Sequence, residues 1–325
     1  VVVPEASAVF EPGALLRFVP SEIRFSGAEL DLTIGEDGAS TAPAGLLAVL
    51  AGPAMNDGAI IERSRQLRVD SSSFTLRSGD PALAPLSFGE VELEVMMAAD
   101  GTFVASFDGL WLSKKGPDGR ISVAAIGDAG SMDMRLDVKV DDFRLAALSP
   151  FLPQLPEALS DIGSTSGNAT VMLTAGKIVA ADIDMVALGG RLDLSPAGLP
   201  VLEYDTASVI MEYKGETGSL VLAQGELSLA DGRNLALSGD VDALQGPTPQ
   251  LAFRFRGNRW PIEQIYADWP SGLADEARQG LQKRFSGGDL ADFAIEVTGG
   301  IDRARSQLQI VSLDLRSVIR NVLLD

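Results

Sequence analysis

Apolar and polar residues alternate along most of this chain, and the alternation is what most constrains its fold. In the clearest stretch Val91, Leu93 and Val95 fall on one side of an extended segment, and the glutamates between them fall on the other. Because successive side chains of a β-strand point to opposite faces, this pattern predicts half-buried strands with one apolar and one charged face. Asp-Gly pairs, such as Asp100-Gly101 and Asp231-Gly232, favour tight hairpins between the strands.

The alternation predicts strands in three parts of the chain. Residues 1–38 predict a strand with an irregularity at Gly27-Ala28 that is typical of a bulge. A strand near 67–76 then leads into a meander of four long antiparallel strands between Val91 and Val140. Strand signals return at 168–173, 177–186, 191–194, 207–213, 219–230, 235–241 and 250–256, with turns at Gly176, Gly189-Gly190, 214–218 and Asp231-Gly232.

Three segments break the alternation and predict helices. Residues 42–55 are apolar but too short and too rich in Gly and Pro to cross a membrane, so a short buried helix near 44–52 is predicted. Residues 143–162 favour two short helical pieces joined at prolines. After Trp269-Pro270, a helix is predicted from Ser271 to about Phe285, where Gly287-Gly288 ends it.

The last two helical segments resemble each other, which predicts a repeated unit. In both, a proline-led helix, a glycine and an alternating strand follow in order, with Pro153 and Pro270 equivalent. We therefore expect a β-meander unit at 1–142, a helix-plus-sheet unit at 143–257 and a third, truncated unit at 258–325, joined in one continuous elongated sheet.

Composition argues against several functional classes. The chain has no His and no Cys, which excludes His-based acid–base catalysis, His-ligated metals, Cys-based zinc sites and disulfides. A formal charge of −19 repels polyphosphate, so no nucleic-acid partner is expected. Carboxylate pairs such as Asp141-Asp142 or Asp182 and Asp184 suit calcium binding or glycosidic chemistry, but 45 acidic residues produce such pairs freely. We predict no enzyme, no cofactor and no metal; a carbohydrate-acting enzyme is the third hypothesis.

Several motifs resemble the AsmA-like superfamily. At the start of the chain AVFEPGALL is followed by P-x-x-I-x-x-x-G-A-x-L-x-L from Pro20. FRLAALSPFLPQLPEAL and LGGRLDLS are similar to the family's central region, and WPSGLADEARQGLQKRFSGGDLADFAIEV resembles its YhdP branch. The resemblance implies a long antiparallel sheet curled into an open apolar groove (a β-taco) with short helical crossovers. The pattern alone leaves a β-sandwich as the alternative.

The resemblance also implies a function. Members of this family are anchored at the inner membrane of diderm bacteria. The resemblance implies that this chain is the periplasmic portion of such a protein and that the anchoring segment lies outside it. Family members bind phospholipid and support its transport to the outer membrane. The alternative is a structural or assembly scaffold of the envelope that binds a protein partner through its sheet edges.

Apolar positions on the predicted strands are the candidates for contact with lipid. Burial of acyl methylenes contributes about 0.8 kcal/mol each, so a sixteen-carbon chain gains on the order of 10 kcal/mol without any catalytic residue. Trp260 and Trp269 are expected to brace the helix against the sheet instead. The lipid-facing candidates are Phe103, Phe107, Trp111, Met134, Leu136, Met211, Leu220, Leu222, Phe253 and Phe255.

Overall fold

The structure is a computed structural model, and it is mostly β. It describes residues 5–9, 21–34, 66–78, 85–98, 100–112, 119–128, 130–148, 161–193, 201–267, 275–285, 287–302 and 307–323. The predicted helix near 44–52, the proline-linked segment at 149–160 and Trp269-Pro270 lie outside these residues. The prediction of a mainly β chain with a curled, unclosed sheet and few helices is confirmed.

Within the described residues, sixteen strands follow one another along the sheet in nearly sequential order. The strands are β1 (Glu5–Val9), β2 (Glu22–Ser26), β3 (Glu29–Ile34), β4 (Gln66–Ser78), β5 (Leu86–Met97), β6 (Thr102–Trp111), β7 (Arg120–Asp128), β8 (Asp133–Arg144), β9 (Ser164–Thr174), β10 (Lys177–Asp193), β11 (Val201–Lys214), β12 (Ser219–Leu229), β13 (Asn234–Asp242), β14 (Gln250–Pro261), β15 (Gly287–Asp302) and β16 (Gln307–Leu323). The order runs β1-β2-β4 and then through β16, and β3 also pairs with β4.

The N-terminal end of the sheet corrects the all-antiparallel prediction. Strands β2 and β3 both pair with β4 in parallel, one after the other along its length. Between β2 and β3 the extended conformation is interrupted at Gly27, whose φ is 67°. This is the position of the irregularity in the sequence. The backbone N of Ala28 donates to the Ser72 hydroxyl at 2.9 Å, which holds the interruption against β4. A parallel pair needs a connection longer than a hairpin, and local sequence does not specify one.

The hairpins follow the predicted turn residues closely. At the β5–β6 turn Gly101 has a φ of 91°, and Thr102 donates from its backbone N to the Asp100 carboxylate at 3.0 Å. The β9–β10 turn places Ala175 and Gly176 at positive φ, as a two-residue type I′ hairpin requires. Gly218 and Gly232 likewise have positive φ at the predicted turns.

The predicted turn at Gly189-Gly190 is wrong. A single strand, β10, runs from Lys177 to Asp193 through both glycines. Gly189 takes a φ of 57° within the strand, which is typical of a bulge rather than a chain reversal. In a sequence, glycine is typical of turns and also of bulges within strands. Only the strand pairing on both sides of Gly189 distinguishes the two.

By contacts, the chain forms two compact units. Unit 1 comprises residues 1–155 and 165–181, and unit 2 comprises 156–164 and 182–325. Unit 1 contains a 3-10 helix, Leu145–Leu148. Unit 2 contains helices α1 (Ile262–Ala267) and α2 (Asp275–Gln282), so the helix predicted from Ser271 to Phe285 is shorter in its described part and is preceded by another helix.

Each unit has its own apolar core. In unit 1, Phe103, Ala105 and Ala125 form one cluster, and Ala28, Val69 and Leu93 form another. In unit 2 the largest cluster joins the sheet to α1, where Trp260 and Phe293 pack with Ile262. This packing is consistent with the bracing role expected of Trp260.

Candidate functional site

Strand pairing places the unit 1 candidates on one face of the sheet. Phe103 lies opposite Gly127, which lies opposite Met134 on the next strand. In the neighbouring row Ala105 lies opposite Ala125, and Ala125 lies opposite Leu136. Directly paired residues project to the same side of a sheet, so Phe103, Phe107, Trp111, Met134 and Leu136 share what we call the apolar face of unit 1.

Burial separates these residues into two groups. Phe103 and Trp111 are only 3% and 6% exposed, and the Trp111 ring packs on Phe143 with centroids 4.9 Å apart. Phe107, Met134 and Leu136 are half-buried. Phe103 and Trp111 are therefore core residues in this structure, whereas the other three retain accessible apolar surface.

Two further aromatic residues belong to the same face and were not among the predicted candidates. Phe88 and Phe74 lie beside Phe107, with ring centroids 5.8 Å and 6.3 Å from its own. Phe88 packs edge-on against Phe107, the arrangement that aromatic pairs favour. Phe88 and Phe74 lie in alternating strands, so the same period-two pattern that selected Phe107 identifies them.

The unit 2 candidates also share one face, formed by β11 to β16. Met211 lies opposite Leu222, Leu222 opposite Gly239, and Gly239 opposite Phe253. In neighbouring rows Leu220 pairs with Val241 and Phe255 with Leu237. All five candidates are half-buried. Val209, Leu237, Ile295 and Val297 extend this apolar face of unit 2.

Both ends of this face are more deeply buried than its middle. At the α1 end lie Tyr204, Leu229, Trp260, Leu290 and Phe293, all buried. At the other end Val241 and Pro249 are buried, and Gln245 of the β13–β14 loop donates to the Tyr213 hydroxyl at 3.1 Å. The middle of the face thus forms a strip of half-buried apolar side chains between two closed ends.

The opposite faces of the strands are charged and paired. Asp70 accepts hydrogen bonds from Arg68 and Arg24, which hold the pKa of its carboxyl below the usual value. Asp108 accepts from Arg120 and Ser122, and Arg120 lowers the pKa of Asp108 most. In unit 2 Arg254 contacts Glu296 at 2.6 Å across β14 and β15. These pairings, within and between strands, identify the charged face.

Two cavities lie against the sheet. The larger, about 670 Å³, crosses β12 to β16 and is lined by apolar and charged residues that include Leu235, Phe293, Arg256 and Asp292. The smaller, about 520 Å³, crosses β5 to β9 in unit 1 and is lined by Phe107 together with Glu92, Asp108 and Lys139. Phe107 alone among the predicted candidates lines either of these cavities.

One of the carboxylate pairs considered for catalysis or calcium, Asp141-Asp142, is engaged within the sheet. Asp141 accepts a hydrogen bond from Ser166 on the neighbouring strand at 3.1 Å, which is a sheet-bridging contact. Across the described residues, no group of three or more acidic side chains has the geometry to hold a metal ion. Within the same residues, no helix has the length and apolarity needed to cross a membrane.

Comparison with known proteins returns no match among family models, curated proteins or solved structures.

Proposed function

We propose that this chain binds the acyl chains of lipids on the apolar faces of its sheet. The observation that carries the proposal is the half-buried strip in unit 2, where Met211 and Leu222 share one row across the strands and Phe255 lies on the adjacent row. The helix α1 packs at one end of this face, against β14 and β15. Large contiguous apolar surfaces of this kind mark binding sites.

The rows of this face run across the strands, which suits an extended hydrocarbon chain. Met211, Leu222, Gly239, Phe253 and Val297 form one such row over β11 to β15. Strands lie about 4.8 Å apart, so the row is about 19 Å long, comparable to an extended acyl chain. Each buried methylene contributes about 0.8 kcal/mol, so this length of contact supports binding by apolar burial alone.

A role in transfer follows from the nature of the contact. An open, apolar face holds a chain without directional bonds, so the guest can slide or leave without breaking a specific interaction. The resemblance to AsmA-like proteins supports phospholipid as the cargo and transport between the inner and outer membranes as the process. It also supports a periplasmic location and an inner-membrane anchor outside this chain. Under this proposal the chain is not an enzyme and needs no cofactor.

Photocrosslinking from the two faces of the unit 2 sheet tests lipid binding. Benzoylphenylalanine replaces Leu222 or Phe255 on the apolar face, or Ile210 on the charged face, where Ile210 is 42% exposed. We expect crosslinks to phospholipid from Leu222 and Phe255 and none from Ile210, with phospholipid also extracted from the purified chain. Equal crosslinking from all three positions, or no lipid in either assay, contradicts the proposal.

A scaffold role is the second candidate, and the last strand of the sheet favours it. Among the described strands β16 pairs only with β15, so its other edge is open over 17 residues. Val311 on this strand is 80% exposed. An open edge can accept a strand from another protein. Protein crosslinks from Val311 in cells, in a chain that carries no lipid, support this role over lipid binding.

A further inference from the structure

Phenylalanine rings lie over glycines on both apolar faces. In unit 2 Phe253 is paired with Gly239, and a Cβ on Gly239 would lie 2.5 Å from the Phe253 Cδ1 atom. In unit 1 a Cβ on Gly127 would lie 3.1 Å from the ring of Phe103, and one on Gly109 would lie 3.0 Å from that of Phe107. The rings therefore occupy the space that a side chain would fill at these three glycines.

This arrangement sets the depth of the face at Phe253. A glycine in a strand leaves a depression down to the backbone, and here the Phe253 ring fills it. Phe255, two residues along the same strand, pairs instead with Leu237 and Ile295, so its ring rests among side chains. Both phenylalanines are half-buried, and their ring centroids are 6.4 Å apart.

We propose that Phe253 makes the unit 2 face selective for unbranched hydrocarbon chains over rigid fused-ring lipids. This inference rests on the proposed function. A level floor contacts an extended chain along its whole length. A fused-ring body is thicker than a chain and needs a depression to reach comparable contact. With Phe253 in place the depression over Gly239 is filled, so a rigid ring body finds no recess in the face in which to seat.

Substitution of Phe253 is the cleaner test of this role. A Cβ on Gly239 would also collide with the carbonyl oxygen of Ala252, so a Gly239 variant would disturb the backbone. Phe253→Ala leaves the backbone unchanged and opens the depression. Phe255→Ala is the matched control because it removes the same ring from the same strand without exposing a glycine.

The experiment compares two intrinsically fluorescent lipids on the whole chain, the linear cis-parinaric acid and the sterol dehydroergosterol. We expect the wild-type protein to bind the linear lipid at least about tenfold more tightly, a ratio within the range that apolar pockets achieve. Phe253→Ala should lower that ratio severalfold by improving sterol binding. Phe255→Ala should weaken both lipids by a similar factor and leave the ratio unchanged.

The outcomes separate this inference from the proposed function. Binding of neither lipid by the wild-type protein defeats the proposed function and the inference with it. Equal binding of both by the wild-type protein, or an unchanged ratio in a folded Phe253→Ala variant, overturns the inference alone. If circular dichroism shows that Phe253→Ala is unfolded, Phe253→Leu replaces it. That variant should shift the ratio in the same direction by a smaller factor, and an unchanged ratio overturns the inference.

Discussion

The Trp260 ring meets the Phe293 ring edge-on, with centroids 5.6 Å apart and planes at 82°. Both residues are buried, at 8% exposure each. The Arg233 guanidinium carbon lies 4.3 Å from the centroid of the Trp260 ring, and Arg233 donates to Asp231 at 2.7 Å. Ile262 at the start of α1 packs into the same cluster. These contacts attach the helix to β14 and β15 and close one end of the apolar face of unit 2.

Replacing Trp260 with alanine should destabilise the protein by about 3–5 kcal/mol, because it empties a large buried volume beside Phe293. Urea unfolding followed by circular dichroism measures the change. Val311→Ala, at an exposed position, should stay within about 0.5 kcal/mol of the wild-type protein. A Trp260→Ala variant as stable as Val311→Ala would show that this cluster does not anchor the helix.

Introducing a carboxylate on the apolar face should remove lipid. Leu222→Glu places a charge on the half-buried strip, where an acyl chain would have to desolvate it. Ile210→Glu places the same charge on the opposite, exposed face. We expect the lipid that co-purifies to fall at least about fivefold for Leu222→Glu, a change of about 1 kcal/mol, and to stay unchanged for Ile210→Glu. Lipid mass spectrometry normalised to protein gives the measurement; similar losses in both variants would count against the site.

Gly189→Ala should destabilise the chain for a purely conformational reason. Gly189 has a φ of 57°, and nothing lies within 4 Å of a Cβ built there. An alanine held in the left-handed region costs about 1–2 kcal/mol. Asparagine tolerates that region better, so Gly189→Asn should lose less stability than Gly189→Ala in the same urea titration. If alanine proves equal to glycine, the bulge in β10 does not require a left-handed residue.

Asp70 should contribute stability that disappears in acid. Its folded-state pKa lies below the ordinary 3.8, chiefly because Arg68 donates to its carboxylate. The unfolded chain therefore takes up a proton at higher pH than the folded chain. The contribution is present above the ordinary pKa and is lost as the pH falls through the lowered pKa.

Asp70→Asn should thus be less stable than the wild-type protein at pH 7, by about 1 kcal/mol, and the difference should shrink as the pH falls below about 4. Thermal unfolding over a pH series measures both. Asp314→Asn, which removes a more exposed partner of Arg316, serves as control and should show a smaller difference at pH 7. A stability difference for Asp70→Asn that does not vary with pH would refute the ion-pair explanation.

The sequence anticipated the strands and their faces well. Period-two alternation assigns each residue to a face without knowledge of its neighbours, because the geometry of a strand fixes that assignment. All the candidates from Phe103 to Phe255 accordingly share the apolar face of their own unit. The turn residues could also be predicted, because a positive φ is a local property of the backbone. It occurs at Gly101, Gly176, Gly218 and Gly232.

The degree to which each of these residues is buried could not be predicted from the alternation. Phe103 and Phe107 have the same pattern and spacing in the sequence, yet Phe103 is buried by Val95, Met134 and their neighbours, whereas Phe107 stays half-buried. Burial depends on side chains that other strands contribute. The space over Gly239 is likewise filled by a residue of the neighbouring strand, Phe253, and this contact depends on how the two strands pair.

The alternation of residues is enough to specify strands with one apolar and one charged face, because side-chain direction in a strand is a local, covalent property. Three features required contacts formed in the folded chain: the parallel pairing of β2 and β3 with β4, the bend of β10 at Gly189 without a strand end, and the part of the apolar face that stays half-buried. These outcomes depend on contacts between segments distant in sequence, and such contacts have no local signature.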